Sequence, residues 1–230
     1  MLPLPVTSVR EQFTKVEKST RIDLLNYYYS ASLFACFAFV TSAKQYMGQP
    51  IQCWVPVNWR SGWEEFVEDY CFATSTAHVP DDANITETSF KLNYYQWVPP
   101  IFLLMSCALY MPSFLLRANF NDIAMKCVYL ANILLQMLLV SILLGFNYFA
   151  WNFKDGFPVL TVCEVPVRQL AHDAYAASER VQCVLMVNVV NKVLFAIAWF
   201  WLVATFVLTA LSLVTRVLLE SINRVNLSRI

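Results

Sequence analysis

Seven cysteines carry most of the reactive chemistry open to this chain, and their placement divides them. Cys53, Cys71, Cys163 and Cys183 fall two apiece in two polar stretches, whereas Cys36, Cys107 and Cys127 lie in or beside long apolar runs. In an oxidising compartment the first four form disulfides. Four cysteines allow three connectivities, and the residues alone do not choose among them. Zinc is the rival use of such a set. It needs C-x-x-C or paired-histidine spacing, and His78 and His172 each stand alone. The other three cysteines read as small hydrophobes. There is no P-loop, H-E-x-x-H helix or nucleophile elbow, and no carboxylate–histidine set inside the apolar runs. Neither an enzyme nor a proton-coupled transporter is expected, and no cofactor or metal is required.

The elements that must position these cysteines are read from hydropathy. Of 230 residues 58% are apolar and 14% charged, and the mean hydropathy is +0.51. The apolar excess falls into four runs, each long enough at 1.5 Å per residue to cross a hydrocarbon core of roughly 30 Å. The expected class is an all-α integral membrane protein, a four-transmembrane-helix bundle with a small disulfide-linked extracellular cap that has room for short strands. The expected divisions are an N-terminal segment 1–21, spans at 22–46, 94–116, 127–149 and 189–215, outer loops 47–93 and 150–188, a short connection 117–126, and a tail 216–230.

Net charge is zero, so no bulk field points to nucleic acid. Lysine and arginine set the orientation. Segments 1–21, 117–126 and 216–230 hold nine of them in 46 residues, against seven in roughly twice that length for the loops and their margins. Both termini are therefore expected in the cytosol, with the cysteine-bearing loops outside. The first 21 residues lack an apolar core of signal-peptide length. Asn84-Ile85-Thr86 fits the N-glycosylation pattern on an outer loop. The first span is the least apolar: Asn26 to Ser30 and Ser32 crowd its start, and Thr41, Ser42, Lys44 and Gln45 its end. Polar groups on a spanning helix avoid lipid, so this span is the candidate to line water.

Tyr94-Tyr95-Gln96-Trp97-Val98-Pro99-Pro100 stands where the first polar loop meets the second span. Two tyrosines and a tryptophan there read as an interfacial aromatic belt, and the adjacent prolines as residues that open or kink the helix in its first turns.

These residues carry a family resemblance. Tyr94, Tyr95, Gln96, Trp97, Val98 and Pro99 resemble the signature of the innexins, the invertebrate gap-junction proteins. Cys53-Trp54-Val55-Pro56, Asp69-Tyr70-Cys71-Phe72, Gln182-Cys183-Val184-Leu185, Asn191-Lys192 and Trp199-Phe200-Trp201 also look like innexin positions. The resemblance covers all four spans and both outer loops. It implies a large-pore channel in the plasma membrane, at gap junctions, assembled as a homo-oligomer of eight copies or heteromerically with other innexins. Such a channel sits among membrane lipids, docks to a hemichannel of the adjacent cell, and passes ions and small metabolites. By the same analogy the N-terminal segment forms a funnel and the first helix lines the pore, making Met1, Leu2, Ser30, Thr41 and Lys44 pore-lining candidates. The resemblance also implies the pairs Cys53–Cys183 and Cys71–Cys163. Two features depart from the family. The connection 117–126 is far shorter than the helical cytoplasmic region of innexins: either the protein is unusually small, or this is a trimmed form of a longer chain, which is the preferred reading. A glycan at Asn84 would oppose docking and favour an undocked, pannexin-like hemichannel. A tetraspan adhesion or scaffold protein without a pore is the reading from a different class.

Overall fold

The computed structural model describes residues 21–56, 59, 61–74, 76–78, 90–92, 94–116, 120–144, 157–167 and 177–227. Four of its helices are long and apolar enough to cross a membrane. These are α1 (Arg21–Tyr46), α3 (Val98–Leu116), α4 (Asp122–Leu144) and α5 (Met186–Leu227). A shorter helix, α2 (Ser61–Thr74), lies in the first loop. The strands are β1 (Gln52–Trp54), β2 (Thr76–His78), β3 (Phe90–Leu92), β4 (Leu160–Val167) and β5 (Ala177–Val184). The chain divides into two units, the first from the described parts of Met1–Cys36, Phe102–Leu139 and Ala198–Ile230, the second from Phe37–Ile101 and Val140–Ile197.

The first unit packs helices through apolar contacts and a set of buried polar bonds. Phe34 packs against Phe102 with the rings tilted, and Tyr27, Met125 and Tyr129 form a buried cluster. Helix α1 widens into a π-turn over Leu25–Tyr29, where both the backbone N–H and the side-chain hydroxyl of Ser30 reach the Leu25 carbonyl. Around that turn the Asn26 amide and the Thr209 hydroxyl each donate to the other, at 2.8 and 3.0 Å. The Trp201 indole N–H donates to Ser30 Oγ, and the Ser106 hydroxyl to the Ala31 carbonyl. Lys126 is fully buried and donates to Asp23 Oδ1 at 2.8 Å, joining α4 to α1. In apolar surroundings such groups serve as interhelical glue, since an unpaired one is costly.

The second unit holds a five-stranded sheet ordered β1-β5-β4-β2-β3. The β4–β5 hairpin of the second loop is inserted between strands of the first, β1 on one side and β2–β3 on the other, and every pairing is antiparallel. The core behind it comprises Ile51, Val67, Tyr95, Val165, Val181, Leu185 and Val187.

Several expectations are sharpened or corrected. The first loop holds a helix besides the short strands allowed for, because Trp63, Val67, Tyr70, Cys71 and Thr74 recur at helical spacing and α2 forms on them. Of the two roles expected of Pro99 and Pro100, the structure shows the opening one. A 3₁₀ turn, Tyr94–Trp97, leads into α3, and both prolines occupy its first turn, where N–H groups have no intrahelical partner to lose. Tyr95 does not join an interfacial belt, since it is wholly buried; of that stretch Trp97 is well exposed. Helix α4 starts at Asp122, ahead of the expected span. Helix α5 does not stop near Val214: its 42 residues reach about 63 Å, twice a hydrocarbon core. Nothing between Thr215 and Leu227 is a proline or glycine that would end it.

Candidate functional site

The chemistry-bearing residues of the two loops converge in the second unit. Cys53 on β1 lies opposite Cys183 on β5 and is bonded to it, a link across 130 residues. Cys71 on α2 is bonded to Cys163 on β4, across 92 residues. Both links tie the first loop to the second, and all four sulfurs belong to one buried core. The Sγ atoms of Cys53, Cys71 and Cys183 lie within 4.8 Å of one another.

The Tyr94–Trp97 turn has a mechanical role that its composition did not announce. The last carbonyls of a helix have no partner inside it. At the end of α2, Tyr95 Oη donates to the Phe72 carbonyl at 3.2 Å and to that of Cys71 at 3.5 Å. Gln96 Nε2 donates to the carbonyls of Phe72 and Ala73. The turn that begins α3 therefore caps α2, through residues 23 or 24 positions further on. Tyr94 packs edge-on against Phe157 and against Tyr95. A glutamine between aromatic residues is the only sequence signal of this cap, and it is a weak one.

At the other side of α2, Glu68 accepts the Cys53 N–H at 3.2 Å, fixing β1 against the helix. Burial pushes the Glu68 carboxyl above its ordinary value. The Cys53 N–H acts against that shift, and the charges of Glu64, Asp69 and Glu65 add to it. These acids and Gln49 and Gln52 line an open groove beside β1. Trp59, Trp63, Phe66 and Tyr70 form a run of contacting rings along α2, with Trp63 and Phe66 exposed. Arg180 and Glu164, opposed across β4 and β5, pair at 2.7 Å in the open, where such a pair contributes little.

The pore-lining candidates separate. Ser30 is buried in the first unit and bonded to Leu25 and Trp201. Thr41 is buried in the second, its hydroxyl returned to the Phe37 and Ala38 carbonyls of its own helix. Neither presents a hydroxyl at the surface of the single chain, because internal packing takes up the polarity at both positions. Lys44 is half-buried. Met1, Leu2 and the rest of the N-terminal segment lie outside the described residues, as does Asn84. The exposed face of α1 instead carries Tyr28, Tyr29, Ser32, Cys36, Phe39, Val40 and Tyr46. The exposed positions of α3 to α5 are dominated by Leu, Ile, Val and Phe.

Comparison with known proteins gives a consistent pattern. A family model described as Innexin matches residues 20–122 and 117–230, two pieces that meet in the connection between α3 and α4. The chain is similar to Innexin-3 of Caenorhabditis elegans, at 27% identity over 277 aligned residues, covering 82% of this chain and 65% of that relative. It is similar also to Innexin-17 of the same organism, at 29% identity, with coverage of 82% and 72%. A third relative is Innexin unc-9, at 26% identity, with coverage of 78% and 69%. The chain thus spans about two thirds of the length of these curated relatives. The aligned stretches, 277, 264 and 269 residues, exceed the chain's own 230, so the relatives carry residues within the aligned region that this chain lacks.

Proposed function

The chain belongs to the innexin family, and from that premise we propose that it is a subunit of a large-pore gap-junction channel, passing ions and small metabolites between adjacent cells. It acts as a channel and not as an enzyme. Eight copies, of this chain alone or with other innexins, surround the pore in the plasma membrane, with both termini in the cytosol and both loops outside. The observation that carries the reading is the single sheet built from both loops. The second-loop hairpin lies between first-loop strands, and two disulfides cross-link them. A surface that must meet a copy on another cell binds better when it is pre-ordered, because less conformational freedom is lost on docking. Helix α1, whose apolar window has the lowest mean hydropathy of the four spans, lines the pore by its Tyr28, Ser32, Cys36 face, with Lys44 near one end.

A second reading, the undocked hemichannel, is favoured by Asn84-Ile85-Thr86, since a glycan on the outer loop obstructs docking. Dye transfer between paired cells and current in single cells separate the two. Coupling without single-cell current supports docking, and current without coupling supports the hemichannel. If a correctly trafficked protein gives neither, the channel reading is lost and a tetraspan adhesion protein takes its place.

A further inference from the structure

We propose that the four loop cysteines form one thiol–disulfide exchange centre, in which a Cys53–Cys71 bond forms first and is then converted into the two final disulfides. The inference rests on the orientation given above, which puts both loops in an oxidising lumen. Its geometric basis is that Cys71 Sγ, although bonded to Cys163, lies within 4.8 Å of both sulfurs of the other disulfide.

The contacts that bring Cys53 to Cys71 belong to the first loop and the start of α3. Glu68, one turn before Cys71, accepts the Cys53 N–H. Val67 lies in the same core as both cysteines. Tyr95 and Gln96 hold the carbonyls at residues 71 to 73. All of these residues are synthesised well before Cys163 and Cys183. Cys53 and Cys71 are 71 − 53 = 18 positions apart, against 130 for Cys53 and Cys183. Loop closure scaling as the 3/2 power of length favours the shorter ring by about twentyfold.

The chemistry then balances in three steps. A disulfide donor takes two electrons and two protons from the Cys53 and Cys71 thiols, leaving their bond. When β5 docks beside β1, the Cys183 thiolate attacks Cys53 Sγ. The Cys53–Cys183 bond forms, the Cys53–Cys71 bond breaks, and the electron pair leaves on Cys71 as thiolate. A second equivalent of donor oxidises Cys71 with Cys163. Burial of all four sulfurs in the finished core then halts exchange.

The test pulse-labels the full chain in cells, blocks thiols with a maleimide at intervals, and maps cysteine peptides by mass spectrometry. In wild type the Cys53–Cys71 peptide is expected first, decaying as Cys53–Cys183 rises. Appearance of Cys53–Cys183 with no earlier Cys53–Cys71 species overturns the proposal. In C163S/C183S the Cys53–Cys71 bond is expected as the end product. Recovery of both residues as alkylated thiols also overturns it. A mature wild-type chain with all four cysteines alkylated would overturn the orientation itself, an outcome distinct from intact final bonds without an intermediate.

Discussion

Replacing one partner of the Asp23–Lys126 pair should be among the most disruptive single changes in the first unit, and replacing both should be far milder. The two charges sit 2.8 Å apart with side-chain exposures of 7% and 0%. At an effective dielectric of about 20 their attraction is about 332/(20 × 2.8), or about 6 kcal/mol. Taking each ion out of water costs several kcal/mol, so the pair as a whole lies close to balance against an uncharged substitute. A single substitution removes the attraction but leaves the remaining ion buried. Asp23→Asn and Lys126→Met should each cost about 3–5 kcal/mol, while the double variant should fall within about 2 kcal/mol of wild type. The assay is a double-mutant cycle on reversible unfolding in mixed micelles, with α1 and α4 reported by amide exchange. A coupling energy above about 2 kcal/mol is expected. Single costs below about 1 kcal/mol, or singles that add in the double variant, would refute the claim that these charges are desolvated and depend on each other.

Capping of α2 from the Tyr94–Trp97 turn predicts that Gln96→Ala and Tyr95→Phe each cost about 0.5–1.5 kcal/mol. Both should quicken amide exchange at the end of α2 without moving α3. Tyr95→Ala, which also empties a buried ring site, should cost about 3–5 kcal/mol in the same unfolding assay. The Glu68 carboxyl is raised in the folded protein, so protonation favours the fold. Its contribution is present below the ordinary carboxylate value of 4.5 and is lost as pH rises through the raised one. The difference in melting temperature, wild type minus Glu68→Gln, should therefore fall with rising pH across and above that value; a flat difference would remove the burial argument. If α1 lines the pore by its exposed face, a water-soluble thiol reagent should block current through Ser32→Cys and through native Cys36, while Ser30→Cys and Thr41→Cys stay insensitive. Block at the buried pair alone would reverse the assignment. Thr209→Val should cost about 0.6 kcal/mol and at most about 1.7, the range for interhelical hydrogen bonds in membranes, read by the same unfolding measurement.

The four spans were legible in the sequence because hydropathy is a local sum. A run such as Ile101 to Leu116 is apolar whatever it packs against. The division of the cysteines into loop and span sets was legible for the same reason, and the string Tyr94 to Pro99 marked the family. Helix ends were read less well. Hydropathy placed the end of the fourth span near Val214, but backbone bonding continues while no residue interrupts it, and α5 runs on to Leu227.

Which partner each side chain takes is a property of the assembled fold. The residues alone left three cysteine connectivities open; strand pairing sets Cys53 opposite Cys183 and leaves Cys71 to Cys163. The polar residues Ser30 and Thr41 signalled water, yet a hydroxyl is equally satisfied by an indole or a backbone carbonyl, and the packing of α1 supplied both. Asp23 and Lys126 stand 103 residues apart at the ends of different spans, where no periodicity connects them. Gln96 lies in the signature, but its bonds to the end of α2 exist only because the chain returns there. The sequence by itself determined which segments leave water, since that depends on each segment's own composition. Only the tertiary structure decided how their polar groups are satisfied, since a hydrogen bond or an ion pair depends on what lies within about 3 Å.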